Sequence, residues 1–227
     1  MTYYKLIRTL FDFFEKEKFE FIDTQDNETA LVTSGDPQTF SFYSFAGTKH
    51  PLPHTKQIVL DTELLENPHK KGVFCFFTSY MNESKPAKKQ NATMQSIIEF
   101  VGQGNIRDLM ALEENLLATL NFQENAFKYF SYDVLTNKYH IRELSAKHKE
   151  LICEQYGDVV FIDTFPFYTH PFWDIKQTMT HAQKVNIIIK GTEIIESAEK
   201  SCHPEQMQAS FYALLDGKYA KRLFKIF

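Results

Sequence analysis

The chain has little of what marks several common functions. Its three cysteines, Cys75, Cys153 and Cys202, are odd in number and their spacing fits no zinc motif, so neither a disulfide framework nor a zinc site is expected. Cys75 sits in a strand pattern and reads as a small core hydrophobe. Cys202-His203 stands at a helix start, where capping is the expected role. Only eight glycines occur in 227 residues, and none forms a glycine-rich loop after a strand, which argues against a Walker-type or dinucleotide phosphate site. No apolar run approaches the ~20 residues that span a bilayer. The N-terminus, Met-Thr-Tyr-Tyr-Lys-Leu-Ile-Arg, is broken by charge and lacks a small-residue cleavage site, so it does not read as a signal peptide. A reduced, cytoplasmic setting is the expectation, and the sequons at Asn27, Asn82 and Asn91 then carry no glycan. Basic excess is missing too: the formal net charge is −4, and Lys70-Lys71 and Lys85–Lys89 read as solvated loop charge rather than a nucleic-acid surface.

What the chain does have is aromatic mass and β-branched runs. It carries 22 Phe and 11 Tyr, which with recurring Val and Ile runs predicts a substantial sheet. Leu6, Ile7, Leu10, Phe11 and Phe14 repeat at helical spacing, predicting an amphipathic first helix. Ala30–Thr33 and Phe40–Ala46 read as short strands around Ser34-Gly35-Asp36-Pro37, and Lys49–Gln57 as irregular. Ile58–Leu60 reads as a strand or the start of a short ordered segment. Gly72–Tyr80 and Met94–Gly102 form a long-looped antiparallel hairpin. Asn105 caps a helix whose apolar face is Ile106, Leu109, Met110, Leu116, Leu117 and Leu120, with Asp108 in its first turn. Another helix is expected over Leu144–Gln155. Three strands of one sheet follow: Val159–Asp163, Val185–Lys190 and a third after Gly191. Ser201 or His203 opens a last helical region, with Pro204 in its first turn and Met207, Phe211, Leu214 and Leu215 on its buried face. Lys218–Phe227 starts a further helix. No repeat or linker interrupts the pattern, so residues 1–227 are expected to form a single α+β domain on an antiparallel sheet flanked by helices.

The densest chemistry lies at the third of those late strands, where Glu193, Glu196, Ser197 and Glu199 follow Lys190-Gly191. Oxygen ligands crowded beside the aromatic, proline-braced turn that follows Val159–Asp163 suit a metal–nucleotide site. Strict strand alternation puts Glu193, Ser197 and Glu199 on one face. The competing reading is a strand edge protected by charge.

Three segments, in order, resemble the aspartyl/asparaginyl branch of class II aminoacyl-tRNA synthetases and its shortened asparagine-forming relatives. The first is Leu52-Pro53-His54-Thr55-Lys56-Gln57-Ile58-Val59-Leu60-Asp61. The resemblance places Gln57, with Thr55 beside it, at the amino-acid substrate; His54 replaces a family glutamine, and Leu60 replaces the lysine of aspartate-specific members. The second runs from Phe77-Thr78-Ser79-Tyr80-Met81-Asn82-Glu83 to Ile98–Leu109 and resembles the signature whose arginine binds the α-phosphate. Met81 stands at that arginine and carries no charge, while Glu83 matches the signature's glutamate, a contact for ATP or substrate. In the third segment, Glu193 matches the glutamate that ligates Mg²⁺ on ATP, and Ser197 falls at a second metal contact. Lys200 replaces an arginine, keeping the charge but not the two-pronged geometry. Glu196 replaces a small residue, and Asn186 falls where relatives often have aspartate.

The third family signature, a glycine-rich strand and helix with an arginine on adenine, has no counterpart through Phe227. The resemblance therefore implies a class II synthetase-like core incomplete at its C-terminus, without an anticodon-binding domain. It implies ATP and Mg²⁺ as cofactors, activation of asparagine or aspartate as an aminoacyl-adenylate, and a homodimer. It makes tRNA a less expected partner than ammonia or another acceptor, and a membrane none at all. With Met81 at the arginine position, a weakened or non-catalytic chain that binds amino acid or a protein partner is the alternative.

Overall fold

The protein is described by a computed structural model covering residues 2–24, 40–80, 94–169, 172–214 and 217–223. The predicted strand Ala30–Thr33, the turn Ser34–Pro37, the three sequons, Met81, Glu83 and Lys85–Lys89 lie outside the described residues, as do Leu215 and Asp216 at the end of the last predicted helical face. The chain divides into two compact units, one ending at Gln103 and taking in the residues from Lys221 on, the other running from Gly104 to Ala220.

The first unit opens with α1 (Tyr3–Lys16), capped by the Thr2 side chain, which accepts from the Lys5 N–H. It continues with β1 (Phe19–Phe21), the hairpin β2 (Phe42–Phe45) and β3 (Thr48–Pro51), α2 (Gln57–Glu66), β4 (Gly72–Tyr80) and β5 (Met94–Gly102). β4 is the centre of a three-stranded sheet, parallel to β1 and antiparallel to β5, in register from Gly72 opposite Gly102 to Tyr80 opposite Met94. It is buried on both faces, which is why it reads as a continuous apolar run. On one face Phe74 stacks on Phe14 of α1, with ring centroids 5.0 Å apart. On the other, Val73, Cys75 and Phe77 pack with Leu60 and Leu64 of α2. Cys75 is the core residue its strand pattern predicts, and burial pushes its thiol up to about 12. Gly72 and Gly102 face each other beneath Phe19, where a Cβ on either would lie within 2.7 Å of the ring.

Ile58–Leu60 is helix, not strand. Its β-branched run favours a strand locally, but placing Leu60 and Leu64 on one face buries both against β4. The hairpin strand β3 falls in a stretch expected to be irregular; its turn, Ala46-Gly47, has positive φ at both residues.

The second unit contains α3 (Ile106–Thr119), β6 (Phe127–Ser131), α4 (Tyr132–Tyr139), α5 (Ala146–Tyr156), β7 (Val159–Pro166), β8 (His181–Ile189), β9 (Thr192–Ala198) and α6 (Pro204–Ala213), and α7 (Lys218–Leu223) begins in it. The sheet order is β6-β7-β8-β9, with β6 parallel to β7 and the rest antiparallel. The three late strands of one sheet are thus present as the sequence predicts, while β6 and α4 are additional to the elements its pattern predicts. Asn105 and Asp108 close a full capping box on α3. His203 is the N-cap of α6 with Pro204 in the first turn, but its side chain makes no capping bond; its backbone N–H donates to Ser201 Oγ instead.

Each face of this sheet has its own core. Leu117 of α3 packs with Phe127, Val159, Phe161, Val185 and Ile187. Tyr132 and Leu135 of α4 and Ile152 and Cys153 of α5 pack with Val160, Ile162, Phe165 and Ile188. The architecture is α+β, with antiparallel-rich sheets flanked by helices.

Candidate functional site

The β8–β9 hairpin builds the most chemically loaded surface of the second unit. Lys190 and Gly191 turn it with φ of 50° and 84°, the two-residue geometry whose twist matches the strands. Gly191 is required twice over, by its φ and because a Cβ there would meet the Glu150 Cα at 3.0 Å, where α5 crosses the turn. Past the turn, Glu193 pairs with Ile188, but the next pair is Ile195 with Ile187, so Ile194 is an extra, bulged residue.

The bulge decides which residues can meet. Glu193 shares the face of Ile188, towards α4 and α5, whereas Ser197 pairs with Val185 on the α3 face. The alternation that put Glu193, Ser197 and Glu199 together is therefore broken: an inserted residue shifts the two-residue period by one. Glu193 forms an ion pair with Lys149 of α5, both side chains about three-quarters buried. Ser197 instead donates its hydroxyl to Glu113 of α3. Glu199, also on the α3 side, accepts from the Ile106 N–H at 3.0 Å and pairs with Lys176 at 2.6 Å, adding a carboxylate to the positive end of α3.

Glu113 is not among the sequence-predicted site residues, yet it is fully buried, and its Oε2 has no hydrogen-bond partner among the described residues. Desolvation pushes its carboxyl up to about 8, against the opposing pull of Ser197, so it is a neutral acid at neutral pH. Lys200 lies beyond β9 and its ammonium is 3.1 Å from Asp174 Oδ2.

On the α4/α5 face the strands leave a pocket of about 210 Å³, lined by Tyr132, Lys149, Phe165, Lys184, Asn186 and Glu193, among others. A second irregularity shapes it: the β7–β8 register shifts between Asp163 and Phe165, and Thr164 sits at φ 56°, a sparsely populated conformation for a β-branched residue. Lys184 pairs with Glu196 and lies 5.1 Å from the Phe165 ring centre. Asn186 is buried, and its Oδ1 has no hydrogen-bond partner among the described residues. Tyr132 accepts from the Leu144 N–H at 3.1 Å, and burial raises its phenol. The pocket thus offers two ammonium groups, one ion-paired carboxylate and one unsatisfied acceptor against an aromatic wall. Its volume is below the usual range for a nucleotide-sized ligand and suits a small polar molecule.

In the first unit, Thr55 is buried and its hydroxyl accepts from the Gln57 N–H at 3.1 Å. Gln57 begins α2, and its Nε2 lies 3.4 Å from Asp61 Oδ1, one turn on. The segment is pinned to the β4–β5 hairpin by three bonds: Lys56 N–H to Glu99 Oε2 at 2.6 Å, Tyr80 N–H to the Pro53 carbonyl at 2.9 Å, and Ser79 Oγ to the His54 carbonyl at 2.7 Å. Lys56, between the two predicted substrate residues, is fully buried.

These donors do not fit the Mg²⁺ site the sequence suggests. Magnesium needs near-octahedral oxygen coordination. Here Glu193 and Ser197 are on opposite faces, Ser197 is held by Glu113, and the carboxylates that do share a face, Glu193 and Glu196, are each held by an ammonium, Lys149 and Lys184. Among the described residues no group of three or more His, Cys, Asp or Glu is placed to hold a metal ion.

No protein-family model and no curated protein sequence matches the chain. Solved structures do. An asparaginyl-tRNA synthetase from Pyrococcus horikoshii complexed with asparaginyl-adenylate superposes with TM-score 0.77 at 15% identity, over 96% of this chain and 58% of that one. Asparaginyl-tRNA synthetase from Entamoeba histolytica, also with asparaginyl-adenylate, gives 0.73 at 13% identity over 97% and 57%. Aspartyl-tRNA synthetase from the same organism gives 0.70 at 13% over 96% and 49%. The chain spans less than two thirds of each of these proteins. Across nearly all of its own length it has the fold of class II asparaginyl- and aspartyl-tRNA synthetases.

Proposed function

We propose that the chain acts in amino-acid activation, binding an amino acid of the asparagine/aspartate type with ATP and joining them as an aminoacyl-adenylate at an attenuated rate. The observation that carries this reading is the fold: 96% of the chain superposes on a synthetase complexed with asparaginyl-adenylate. The matches of Thr55, Gln57, Glu83, Glu193 and Lys200 to the family segments add to it. In the reaction the amino-acid carboxylate attacks the α-phosphate in line and pyrophosphate leaves, so catalysis rests on positioning and on neutralising charge. Gln57 supplies an amide that both donates and accepts, suited to a zwitterion or a carboxamide. Lys200 supplies positive charge once it gives up its pair with Asp174. Both carboxylates on the Glu193 face are held by lysines, and no step is assigned to Mg²⁺. Homodimerisation, a cytoplasmic setting and transfer of the acyl group to ammonia or another small acceptor belong to the same proposal.

A second reading, a non-catalytic relative that retains an amino-acid or partner-binding role, is favoured by one observation: Glu193 is already neutralised by Lys149. ATP–pyrophosphate exchange separates the two. Exchange dependent on asparagine or aspartate supports the activating enzyme. A folded chain that shows no exchange with either, and no ATP binding at millimolar concentration, leaves the binding role.

A further inference from the structure

We infer that the pocket between β7–β9 and α5 carries its own cation. The Lys149 ammonium occupies the place beside Glu193 that a divalent ion would need, and an anionic group entering the pocket meets ammonium nitrogens rather than a metal. The inference rests on the geometry of the second unit and does not require the activating function.

Three features carry it. First, the Ile194 bulge brings Glu193 to the side on which Glu196, opposite Asn186, also stands, and removes Ser197 to the other face; each of these two carboxylates is already held by a lysine, Glu193 by Lys149 and Glu196 by Lys184. Second, Lys149 lies one helical turn before Ile152 and Cys153, the buried residues of α5, so helical phase directs it at the sheet. Its side chain is 23% exposed and that of Glu193 25%. Such a pair is largely desolvated, and a doubly charged ion beside Glu193 would have to displace or face the ammonium at close range. Third, the other polar groups of the pocket suit an organic ligand. Lys184 is 16% exposed, but its partner Glu196 is 61% exposed, a pairing that a ligand carboxylate or phosphate oxygen can replace at little cost. Asn186 Oδ1, buried and without a partner among the described residues, awaits an N–H or O–H donor. With both carboxylates of this face taken up by lysines, the Asn186 amide oxygen and the ammonium groups pair well with a small molecule bearing both an anionic group and a donor.

The test is a Mn²⁺ titration followed by water-proton relaxation, on wild type, Glu193→Gln, Lys149→Met and the double variant, each with and without a non-hydrolysable ATP analogue. Wild type and Glu193→Gln are expected to bind Mn²⁺ alike, within about twofold, because Glu193 is not a ligand while Lys149 is present. Lys149→Met is expected to gain a site at least about tenfold tighter, lost again in the double variant. A roughly tenfold weakening by Glu193→Gln alone would overturn the inference, and so would a folded Lys149→Met variant with no new site. If the variants do not fold, the wild-type unfolding midpoint in Mg²⁺ against EDTA decides: no shift supports a built-in cation, a rise of several degrees refutes it. Loss of pyrophosphate exchange bears on the proposed function and leaves these outcomes unaffected.

Discussion

Replacing Glu113 with glutamine is expected to stabilise the protein above neutral pH and not in acid. Glu113 is fully buried on α3, its carboxyl raised by desolvation to about 8 from an ordinary value of 4.5. The folded state therefore keeps the proton over a range in which the unfolded chain releases it. Stability contributed at this site is complete below about pH 4.5 and falls as pH rises towards 8. At pH 7 the loss relative to pH 4 is roughly 3 kcal/mol, from about 2.5 units at ~1.4 kcal/mol each. Glutamine keeps the shape and the acceptor for the Ser197 hydroxyl, but puts an NH₂ where Oε2 has no partner among the described residues, a cost of about 1 kcal/mol. The variant should thus be about 2 kcal/mol more stable than wild type at pH 7, a rise in Tm of about 4–8 °C for a chain of this size, and slightly less stable at pH 4. Thermal unfolding of both proteins from pH 4 to 8.5 reads this directly. Parallel curves with no crossing would show that Glu113 does not titrate in this range, and a variant weaker than wild type at pH 8 would show that the ionised carboxylate is itself needed.

Gly191→Ala should lower stability by about 1–3 kcal/mol, because its Cβ meets the Glu150 backbone and φ is positive; a Tm change below about 1 °C would show that α5 yields easily. If the chain shows measurable pyrophosphate exchange, Met81→Arg should raise it by about 10²-fold, since a charge-assisted donor on the transferring phosphate is restored; an unchanged rate contradicts the role the resemblance gives that position.

Much of the candidate site was legible, and its gaps have specific causes. The apolar stripe of α3, Ile106, Leu109, Met110, Leu116, Leu117 and Leu120, skips a turn at which Glu113 stands. A carboxylate filling a core slot was therefore visible as a break in the stripe, although its partner Ser197, 84 residues on, was not. Lys149 shares a helical face with Ile152 and Cys153, and Lys184 and Asn186 share the strand face of Ile188, so each could have been read as inward-facing from spacing alone. The division of Glu193 from Ser197 could not. A bulge leaves no mark in an alternating pattern until the partner strand fixes the register.

The amino-acid sequence by itself settled the element types where the pattern was long: α1, the β4–β5 hairpin, the capped α3 and the three late strands. There, burial demands a fixed period, and caps and turns mark the ends. It also carried the synthetase resemblance through residues separated by more than a hundred positions. Tertiary structure alone decided that Ile58–Leu60 is helical, because burying Leu60 and Leu64 against β4 outweighs local β-propensity. It alone decided the partners of the charged groups, Glu193 with Lys149, Ser197 with Glu113 and Lys200 with Asp174. Charges find partners across space, and a single extra residue in one strand is enough to exchange them.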